Sequence, residues 1–351
     1  MPLKQKQEIY NPNIRTYPMY RAEIVAAGMY VPEDKLKNDF FINSPNNPYK
    51  VYIGQDEQGD PIFAQDRVLL TEEKIIKTTG GIKERRRVDD KDTVEGLVRR
   101  AFLTTDFPAP KLDGILIGSI SDEKRFPSVA CRVQKALGAI NVSYTEDVSA
   151  ACSGFTHALD HARLQIQENG GYWLVAGVEI LTRITDYEEL NCDLFGDGCG
   201  LVVLGPTSDK KRGVLATQFR SDISGIDFIY KDKIGKLRMP AGPKVFQKAT
   251  RGMIEIAHDL TRKTGIPENE VSRYVAHQAN GNILNYIEEK VDPVKEGKII
   301  RTIEEYGNMS AATVPVALAK SLREGRIKKD DLVTLVDMGA GLAFGGALIR
   351  I

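Results

Sequence analysis

The chain contains a faint internal repeat, and this repeat restricts the possible folds more than any other feature of the sequence. Residues 112–118 pair with 271–277, because each segment is a short apolar run with the pattern of a strand. About forty residues further on in each copy, 151–159 pairs with 310–318, and both segments lead from small residues into a helical pattern. Each copy then closes with a glycine-rich turn and a β-branched strand. Two similar halves indicate a duplication, with a site formed between them.

Strand-like apolar runs alternate with helical patterns, which predicts an α/β protein whose sheets are buried on both faces. Helices are predicted over 94–102, 128–137, 155–167, 244–264, 280–289 and 313–323. Strands are predicted over 114–120, 141–148, 173–179, 200–204, 273–277, 332–336 and 346–351. A polar stretch separates the two copies, so the first half is predicted to span residues 1–208 and the second 209–351.

Composition narrows the class of protein. Of the 351 residues, 42% are hydrophobic, which is enough for a substantial core. Lys+Arg and Asp+Glu both number 48, so the chain lacks the basic excess of a nucleic-acid or membrane-surface protein. The start of the chain lacks the apolar core of a signal peptide, and no apolar run approaches the ~20 residues of a spanning helix. Four cysteines without a Cys-x-x-Cys pair argue against a disulfide framework or a zinc site. We therefore expect a soluble cytoplasmic protein with reduced thiols.

Cys152 is the strongest candidate for a catalytic residue, because it lies between a predicted strand (141–148) and a predicted helix (155–167). The free N–H groups and the dipole at a helix start favour an anion. The thiol pKa is therefore expected to fall below ~8.5, which would give a nucleophile at neutral pH. Small neighbouring residues leave room for a substrate carbonyl. A buried core cysteine would also fit this segment when it is considered alone.

Two later segments place further polar residues at similar junctions. Residues 274–280 form an apolar run that ends in His277 and amides, and residues 306–315 form a polar turn that carries Asn308 into a helix. Side chains at strand ends and helix starts are expected to converge on one pocket. His277 alone would be better explained as a core histidine with satisfied hydrogen bonds. Together with Cys152 and Asn308 it favours a catalytic role.

These segments resemble the Cys-His-Asn centre of the ketoacyl-acyl-carrier-protein synthase III family, within the thiolase superfamily. Further motifs extend the resemblance from about residue 22 to the C-terminus, in the order of the family: Gly80-Gly81-Ile82-Lys83-Glu84-Arg85-Arg86, Arg125-Phe126-Pro127-Ser128, Phe195-Gly196-Asp197-Gly198-Cys199-Gly200, and Met338-Gly339-Ala340-Gly341 with Phe344-Gly345-Gly346-Ala347-Leu348. The resemblance implies a thiolase-like fold, in which two duplicated α/β halves form a layered αβαβα arrangement.

The resemblance also implies the chemistry. An acyl group moves from a thioester to Cys152, and the backbone N–H groups of Cys152 and Gly341 form the oxyanion hole. A malonyl thioester then loses CO2, and His277 and Asn308 donate hydrogen bonds to the enolate oxygen. Such a decarboxylative Claisen condensation starts fatty-acid or polyketide chains. No metal and no resident cofactor are implied, because the phosphopantetheine of acyl carrier protein or coenzyme A carries the substrates.

Partners are implied in the same way. Family members form homodimers, and Phe126 resembles the residue that crosses the interface to line the neighbour's acyl pocket; a buried dimer-contact phenylalanine is the alternative. Acyl carrier proteins are acidic, so a basic patch on a neutral protein predicts a docking site. A plain solvated helix face would give the same pattern. The proposed docking residues are Lys244, Lys248 and Arg251 on one side of a predicted helix, with Lys210, Lys211 and Arg212 before the same half.

The sequence departs from the family where members that take acetyl-coenzyme A sandwich the adenine. The usual Trp and the usual Arg are missing from the corresponding stretches, 72–76 and 186–191, and a position that is often Arg is Asn282. The single Trp, Trp173, is predicted in a core strand. These departures predict one of three situations: the starting acyl group is carried by a carrier protein, coenzyme A is bound in a different way, or the enzyme belongs to a specialised pathway.

Residues 36–72 are interpreted as an insertion relative to the usual family member. They are predicted to be irregular apart from a β-hairpin over 51–64. A solvated surface hairpin and a lid over the site are both compatible with this pattern.

Three other functions are compatible with the sequence. Non-decarboxylative condensation of two acyl thioesters, as in long-chain olefin synthesis, uses a glutamate base near the position of Phe126, where only Glu123 is close. An acyltransferase would load Cys152 and pass the acyl group to a hydroxyl or an amine. A non-catalytic subunit of a ketosynthase pair is disfavoured, because all three site residues are retained.

Overall fold

The computed structural model describes residues 20–124, 126–294 and 296–351. In these residues the α-helices are α1 (Asn38–Ile42), α2 (Glu72–Thr79), α3 (Val94–Phe102), α4 (Val129–Leu137), α5 (Gly154–Asn169), α6 (Leu181–Ile184), α7 (Gly242–Thr264), α8 (Gly281–Val291), α9 (Ile303–Tyr306) and α10 (Thr313–Arg323). The strands are β1 (Arg21–Tyr30), β2 (Asp34–Lys37), β3 (Tyr52–Gln55), β4 (Pro61–Phe63), β5 (Glu84–Arg87), β6 (Leu112–Gly118), β7 (Tyr144–Val148), β8 (Tyr172–Ile180), β9 (Asp197–Thr207), β10 (Gly213–Ser221), β11 (Tyr230–Lys231), β12 (Leu237–Arg238), β13 (Arg273–Ala276), β14 (Leu332–Gly339) and β15 (Ala343–Arg350).

The first half builds a five-stranded sheet in the order β1-β9-β8-β6-β7. β6 runs parallel to its neighbours β7 and β8, whereas β9 is antiparallel to β8 and β1. β8 and β9 are buried over nearly their whole length. Burial on both faces is the predicted state of a sheet between two helix layers.

The second half repeats this arrangement in the order β10-β15-β14-β13, which corresponds to β1-β9-β8-β6. β13 is parallel to β14, and β15 is antiparallel to β14 and β10. The match extends to the backbone, because Ala151 (φ 48°) and Ser310 (φ 46°) each open a 3₁₀ turn that leads into a helix. The sequence repeat is therefore a structural duplication.

Helices α5 and α10 form the central layer, between the two sheets. Their apolar residues share one core with strands of both sheets, as Phe155, Leu159, Val314 and Leu318 illustrate. α3 and α4 cover the outer face of the first sheet, and α7 and α8 cover the outer face of the second. Each of these contacts removes apolar surface from water, which contributes about 25 cal/mol per Å². The predicted αβαβα layering is confirmed.

Every predicted helix and strand is present, with bounds that shift by a few residues. The prediction missed β1 and β10, which are fixed by pairing with the distant strands β9 and β15. It also missed α2 and the short elements β2, β5, α6, α9, β11 and β12. The irregular region predicted over 36–72 is wrong where α1 forms, because Phe41 anchors that short helix in a small core with Leu70 and Ile75. The proposed boundary after residue 208 falls in the connection between β9 and β10.

The predicted hairpin is formed by β3 and β4, and it packs on β11 and β12. The Arg238 guanidinium lies 4.9 Å from the ring centroid of Tyr52 and 5.7 Å from that of Phe63. It also pairs with Asp232 at 2.7 Å and with Asp186 at 2.6 Å. The hairpin is therefore tied to the body of the protein, and it is neither a free surface hairpin nor part of the wall of the site described below.

No helix among the described residues is both long enough and apolar enough to cross a membrane.

Candidate active site

Cys152 lies where the sequence predicted it, between a strand and a helix. β7 ends at Val148, a 3₁₀ turn follows from Ala151, and α5 begins at Gly154. The left-handed conformation of Ala151 costs about 1–3 kcal/mol and persists because the surrounding structure fixes it. Gly118 on β6 lets the turn approach, since a Cβ there would lie 2.6 Å from the carbonyl carbon of Gly154. The thiol is thus held on a rigid turn between the sheets.

A cavity of about 610 Å³, called here the Cys152 cavity, opens beside this thiol. Its wall contains Cys152 from the first half and His277, Asn308 and Ser310 from the second. Apolar side chains form much of the remaining wall, including Leu181, Ile184, Leu194, Phe195, Phe246 and Met338. The three side chains predicted to converge therefore share one cavity, and its apolar lining suits an acyl chain.

The pKa of the Cys152 thiol is opposite to the sequence prediction. Burial, with smaller contributions from the carboxylates of Glu179 and Asp337, raises this pKa to about 12, while the Ser310 hydroxyl and the Cys152 N–H oppose the rise. The prediction of a lowered pKa was wrong because the helix start lies inside the protein. Loss of water destabilises the thiolate more than the helix N–H groups stabilise it. Attack on a thioester therefore calls for a group that takes the thiol proton.

His277 follows β13 directly and is 1% exposed. Its Nδ1 lies 2.6 Å from the Thr313 hydroxyl at the start of α10, which fixes the orientation of the ring. Burial lowers the pKa of the imidazole to about 3, so the ring is neutral at physiological pH. A neutral ring with such a low pKa is a poor base. It is better suited to hydrogen bonding with a substrate oxygen.

The Asn308 side chain is oriented by neighbouring backbone groups. Its Oδ1 accepts a hydrogen bond from the Ser310 N–H at 2.8 Å, and its Nδ2 donates to the Ala279 carbonyl at 3.3 Å. An amide nitrogen carries two protons, so a second N–H is left for a ligand in the cavity. This geometry can place a hydrogen-bond donor opposite a developing enolate.

Gly341 follows the wall residue Ala340 but is not itself part of the wall. The turn that carries it packs closely on the Cys152 segment, since a Cβ at Gly339 would lie 2.3 Å from the Ala150 carbonyl oxygen. Only a glycine permits that approach. The turn therefore adjoins the nucleophile, and the role of the Gly341 N–H as an oxyanion donor stays a prediction.

The predicted docking residues differ in their surroundings. Lys248 pairs with Asp222 at 2.6 Å, and Arg251 pairs with Glu255 at 2.8 Å. Lys244 has no carboxylate partner among the described residues, and it lies in the first turn of α7, whose Gly242, Pro243, Val245 and Phe246 line the Cys152 cavity. Of the three, Lys244 alone presents an unpaired charge at the rim within the described part of the chain.

The other basic residues of the predicted patch lie elsewhere. Lys210, Lys211 and Arg212 line a second, open cleft of about 920 Å³ that shares no wall residue with the Cys152 cavity. Phe126, predicted to reach a neighbouring subunit, is 83% exposed and lies outside the Cys152 cavity of its own chain.

Four polar residues of the wall come from distant parts of the chain. Lys74 on α2 and Lys231 on β11 bring positive charge to the Cys152 cavity, and Asn191 and Asn282 bring amides. Lys74, Asn191 and Asn282 belong to the positions that the sequence analysis compared with the adenine clamp, whereas Lys231 was missed, because no motif or spacing in the sequence points to it. Lysine ammonium groups can bind phosphate, such as that of a phosphopantetheine arm.

The cavity wall contains neither tryptophan nor arginine among the described residues, in agreement with the missing adenine clamp. Arg183, which precedes the Phe195 turn, donates hydrogen bonds to backbone carbonyls of residues 89, 90 and 92. The Asn282 amide donates to the carbonyls of Lys77 and Thr78, at 3.0 and 3.2 Å. Both side chains are therefore engaged in holding the protein together.

The rim between α2 and α8 is closed by two glycines. A Cβ at Gly80 would lie 2.1 Å from the backbone nitrogen of Asn282, and a Cβ at Gly281 would lie 2.1 Å from the Gly80 carbonyl oxygen. Gly80 also has a φ of 71°, which favours glycine. The backbone at the end of α2 is therefore in direct contact with the backbone at the start of α8.

The remaining thiols and histidines have structural surroundings. Cys192 and Cys199 are free and buried, as expected of core thiols. His157 and His161 lie one turn apart on α5 and are expected to serve packing: the His157 ring packs on Phe219, and His161 pairs with Glu146 at 3.4 Å. No cluster of three or more His, Cys, Asp or Glu suited to a metal occurs in residues 20–124, 126–294 and 296–351.

A duplicated αβαβα fold with a cysteine, a neutral histidine and an asparagine in one apolar cavity defines a condensing enzyme of the thiolase class. Comparison with known proteins agrees. The family model of 3-oxoacyl-[acyl-carrier-protein] synthase III matches residues 146–223, and the model of the C-terminal part of that family matches residues 261–351.

Whole-length relatives point to the same family. The beta-ketoacyl-[acyl-carrier-protein] synthase III of Aquifex aeolicus is 35% identical over 93% of this chain and 99% of its own. That of Geobacillus kaustophilus is 34% identical over 94% and 98%. The solved structure of the Aquifex aeolicus synthase aligns with a TM-score of 0.81 over 94% of this chain and 100% of its own, at 34% identity. The chain belongs to the 3-oxoacyl-[acyl-carrier-protein] synthase III family and is an acyl-transferring condensing enzyme.

Proposed function

We propose that the enzyme loads an acyl group onto Cys152 and condenses it with a malonyl thioester, with loss of CO2, to start fatty-acid or polyketide chains. One observation carries this assignment: Cys152, His277 and Asn308 come from both halves of the chain and line the same cavity. The relatives named beta-ketoacyl-[acyl-carrier-protein] synthase III support it.

The proposed roles follow from the surroundings of each side chain. Cys152 attacks the thioester carbonyl, and the N–H groups of Cys152 and Gly341 stabilise the oxyanion. His277 and Asn308 then stabilise the enolate that forms as malonyl loses CO2. The free amide N–H of Asn308 supports this role. The neutral imidazole of His277 supports it in the tautomer that carries its proton on Nε2, in which the Thr313 hydroxyl donates to Nδ1. The chemistry needs no metal and no cofactor of the enzyme's own.

Mass spectrometry of the intact protein tests the assignment. Wild type exposed to acyl-carrier protein should gain the mass of one acyl group on Cys152, and malonyl-carrier protein should then release CO2 and form the ketoacyl product. An acyl adduct followed by transfer to a hydroxyl or amine, without CO2 release, would instead identify a simple acyltransferase. Non-decarboxylative condensation is less well supported, because Glu123 is exposed and outside the cavity wall.

We expect acyl-carrier protein to be preferred over the matching acyl-coenzyme A as donor. Without an aromatic clamp, free coenzyme A lacks a stacking contact worth roughly 1–3 kcal/mol, by analogy with base stacking on proteins. That corresponds to about ten- to a hundredfold in affinity. The measurement is kcat/KM for one acyl chain on both carriers. A clear preference for coenzyme A would mean that the cavity holds the nucleotide by other groups.

The same proposal assigns carrier docking to the α7 face. Lys244→Glu with Lys248→Glu should raise the KM for the carrier with little change in kcat. Most of the effect should come from Lys244, because Asp222 already neutralises Lys248. Lys210→Glu, in the second cleft, is the matched control and should leave KM unchanged. Equal effects at Lys210 and Lys244 would argue for a general charge effect.

We propose a homodimer formed through the edge strand β7, with Phe126 reaching the neighbour's cavity. The exposed edge of the first sheet and the 83% exposed Phe126 ring support this. Light scattering at micromolar concentration should give twice the chain mass of 38.9 kDa. A monomer under these conditions would remove the proposed role of Phe126. We also propose a cytoplasmic location, which the four free cysteines support.

A further inference from the structure

Glu179, at the end of β8, is a buried carboxylate that the chemistry described above does not use. Its Oε2 accepts hydrogen bonds from the N–H groups of Ile120 and Ser121, each at 3.1 Å, and from the Ser121 hydroxyl at 2.7 Å. Its Oε1 is buried and makes no hydrogen bond of normal geometry among the described residues, although the Ser310 hydroxyl and the Ala311 N–H lower the pKa of the carboxyl. Ile120 and Leu181 line the Cys152 cavity, so Glu179 lies directly behind the wall. A buried carboxylate oxygen without a donor is rare and calls for a reason.

Ser310 shares the cavity wall with Cys152, and its hydroxyl also lacks a hydrogen bond among the described residues. Its backbone is fixed, because the N–H donates to Asn308 Oδ1 at 2.8 Å and the carbonyl lies 2.9 Å from the Thr313 hydroxyl. The hydroxyl itself is left to rotate. The turn that begins at Ser310 packs against both the turn that carries Cys152 and the strand β8 that carries Glu179. The hydroxyl also lowers the pKa of the Cys152 thiol and of the Glu179 carboxyl, which agrees with this position between them.

We propose that Glu179 is the final acceptor of the Cys152 thiol proton, and that the Ser310 hydroxyl passes the proton between them. The proposal rests on Cys152 as the nucleophile. As Sγ bonds to the thioester carbonyl carbon, the thiol proton moves to Ser310 Oγ and the Ser310 proton moves to Glu179 Oε1. When the carbon–sulfur bond to the carrier breaks, the leaving thiolate takes a proton back along the same path. The carrier departs as a free thiol and Glu179 is again a carboxylate.

The other titratable groups around the thiol are less suited to this task. His277, at the end of β13, has a pKa lowered to about 3 by burial. Asp337, on β14, also has an unpartnered oxygen, but its bonded neighbour is the Thr156 hydroxyl at 2.8 Å and Ser310 does not act on it. Burial raises the pKa of Glu179 to about 7. A general base works best when its pKa is near the working pH.

A purely electrostatic role for Glu179 predicts the opposite effect. Its negative charge raises the pKa of Cys152, as does that of Asp337. If charge were its only influence, Glu179→Gln would make the thiol more acidic and acylation faster. If Glu179 accepts the proton, the same variant acylates more slowly. Glu179→Gln keeps an oxygen for the N–H groups of Ile120 and Ser121, so the fold is retained while the base is removed.

The test is single-turnover acylation of Cys152 by acyl-carrier protein, followed by intact mass between pH 5.5 and 9, values bracketing a pKa of about 7. The wild-type rate should rise with pH through about 7, because Glu179 must be ionised to act as a base. Glu179→Gln and Ser310→Ala should each slow acylation about 100-fold and lose this rise. The double variant should be no slower than either single one, since both interrupt one relay. Asp337→Asn is the matched control and should show no loss.

Each outcome decides the proposal. Acylation of Glu179→Gln at or above the wild-type rate, or an unchanged pH profile, would overturn it. Ala151 shows that alanine adopts the backbone angle found at Ser310, so Ser310→Ala provides a second answer if Glu179→Gln fails to fold. Equal losses in Asp337→Asn would also overturn the relay, because a general effect of buried charge would then suffice. Failure of wild type to acylate on Cys152 would instead refute the nucleophile assignment on which the relay rests.

Discussion

Replacement of Cys152 by Ala should abolish both the acyl adduct and ketoacyl formation, and Cys152→Ser should lower both at least about 1000-fold. The reason is that Cys152 is the one thiol among the described residues that line the cavity. Intact mass after exposure to acyl-carrier protein gives the adduct, and product analysis gives the condensation.

Cys131→Ser is the control for this experiment. Cys131 is an exposed free thiol outside the cavity wall, and its sulfur lies 3.1 Å from the Thr145 hydroxyl, a contact that serine can keep. This variant should load and condense as wild type does. If Cys152→Ala still gained an acyl adduct and Cys131→Ser did not, the acylated thiol would be Cys131, and the assignment of Cys152 would be wrong.

Loss of His277 or Asn308 should separate the two steps of the reaction. His277→Ala and Asn308→Ala should each slow malonyl decarboxylation about 100-fold, since removal of one oxyanion donor typically costs ~3 kcal/mol. Both variants should keep at least part of the Cys152 acylation, because the backbone N–H groups of the proposed oxyanion hole remain. Release of CO2 and gain of acyl mass, measured side by side, check this division.

Asn308 needs a second variant, because its Oδ1 also holds the Ser310 backbone. Asn308→Asp keeps that acceptor and removes the amide donor, so it should lose decarboxylation and retain the loop. His161→Ala, on the exposed side of α5, is the histidine control and should behave as wild type. Complete loss of acylation in the His277, Asn308 and Cys152 variants alike would contradict separate roles.

The two halves of the chain and the convergence of Cys152, His277 and Asn308 could be predicted from the sequence, because both depend on local patterns. Strand-like runs, helical spacing and the repeat around 151 and 310 are each readable over a short window. Cys152 could be placed at a strand-to-helix junction for the same reason. The layered fold followed from the duplication and from the family resemblance.

Other properties depend on contacts between distant residues, and these the sequence did not predict. The direction of the Cys152 pKa depends on burial and on Glu179 and Asp337, which lie on strands of different halves. The pairing of Lys248 with Asp222 joins a helix to a distant turn. Contacts between such distant residues cannot be predicted from a local pattern or a motif. The basic patch and the lowered pKa of Cys152 were therefore predicted without the carboxylates and the burial that decide them.

Because Gly80 and Gly281 meet backbone to backbone, the cavity rim between α2 and α8 has a fixed width. No side chain fits at either position, and widening the rim would require the two helices to move apart. Exchange of single side chains can alter the opposite rim, where Lys231, Met239 and Phe246 face the cavity. A change of acyl donor in this enzyme therefore has to come from exchanged side chains along the wall, because the spacing of these two helices is fixed.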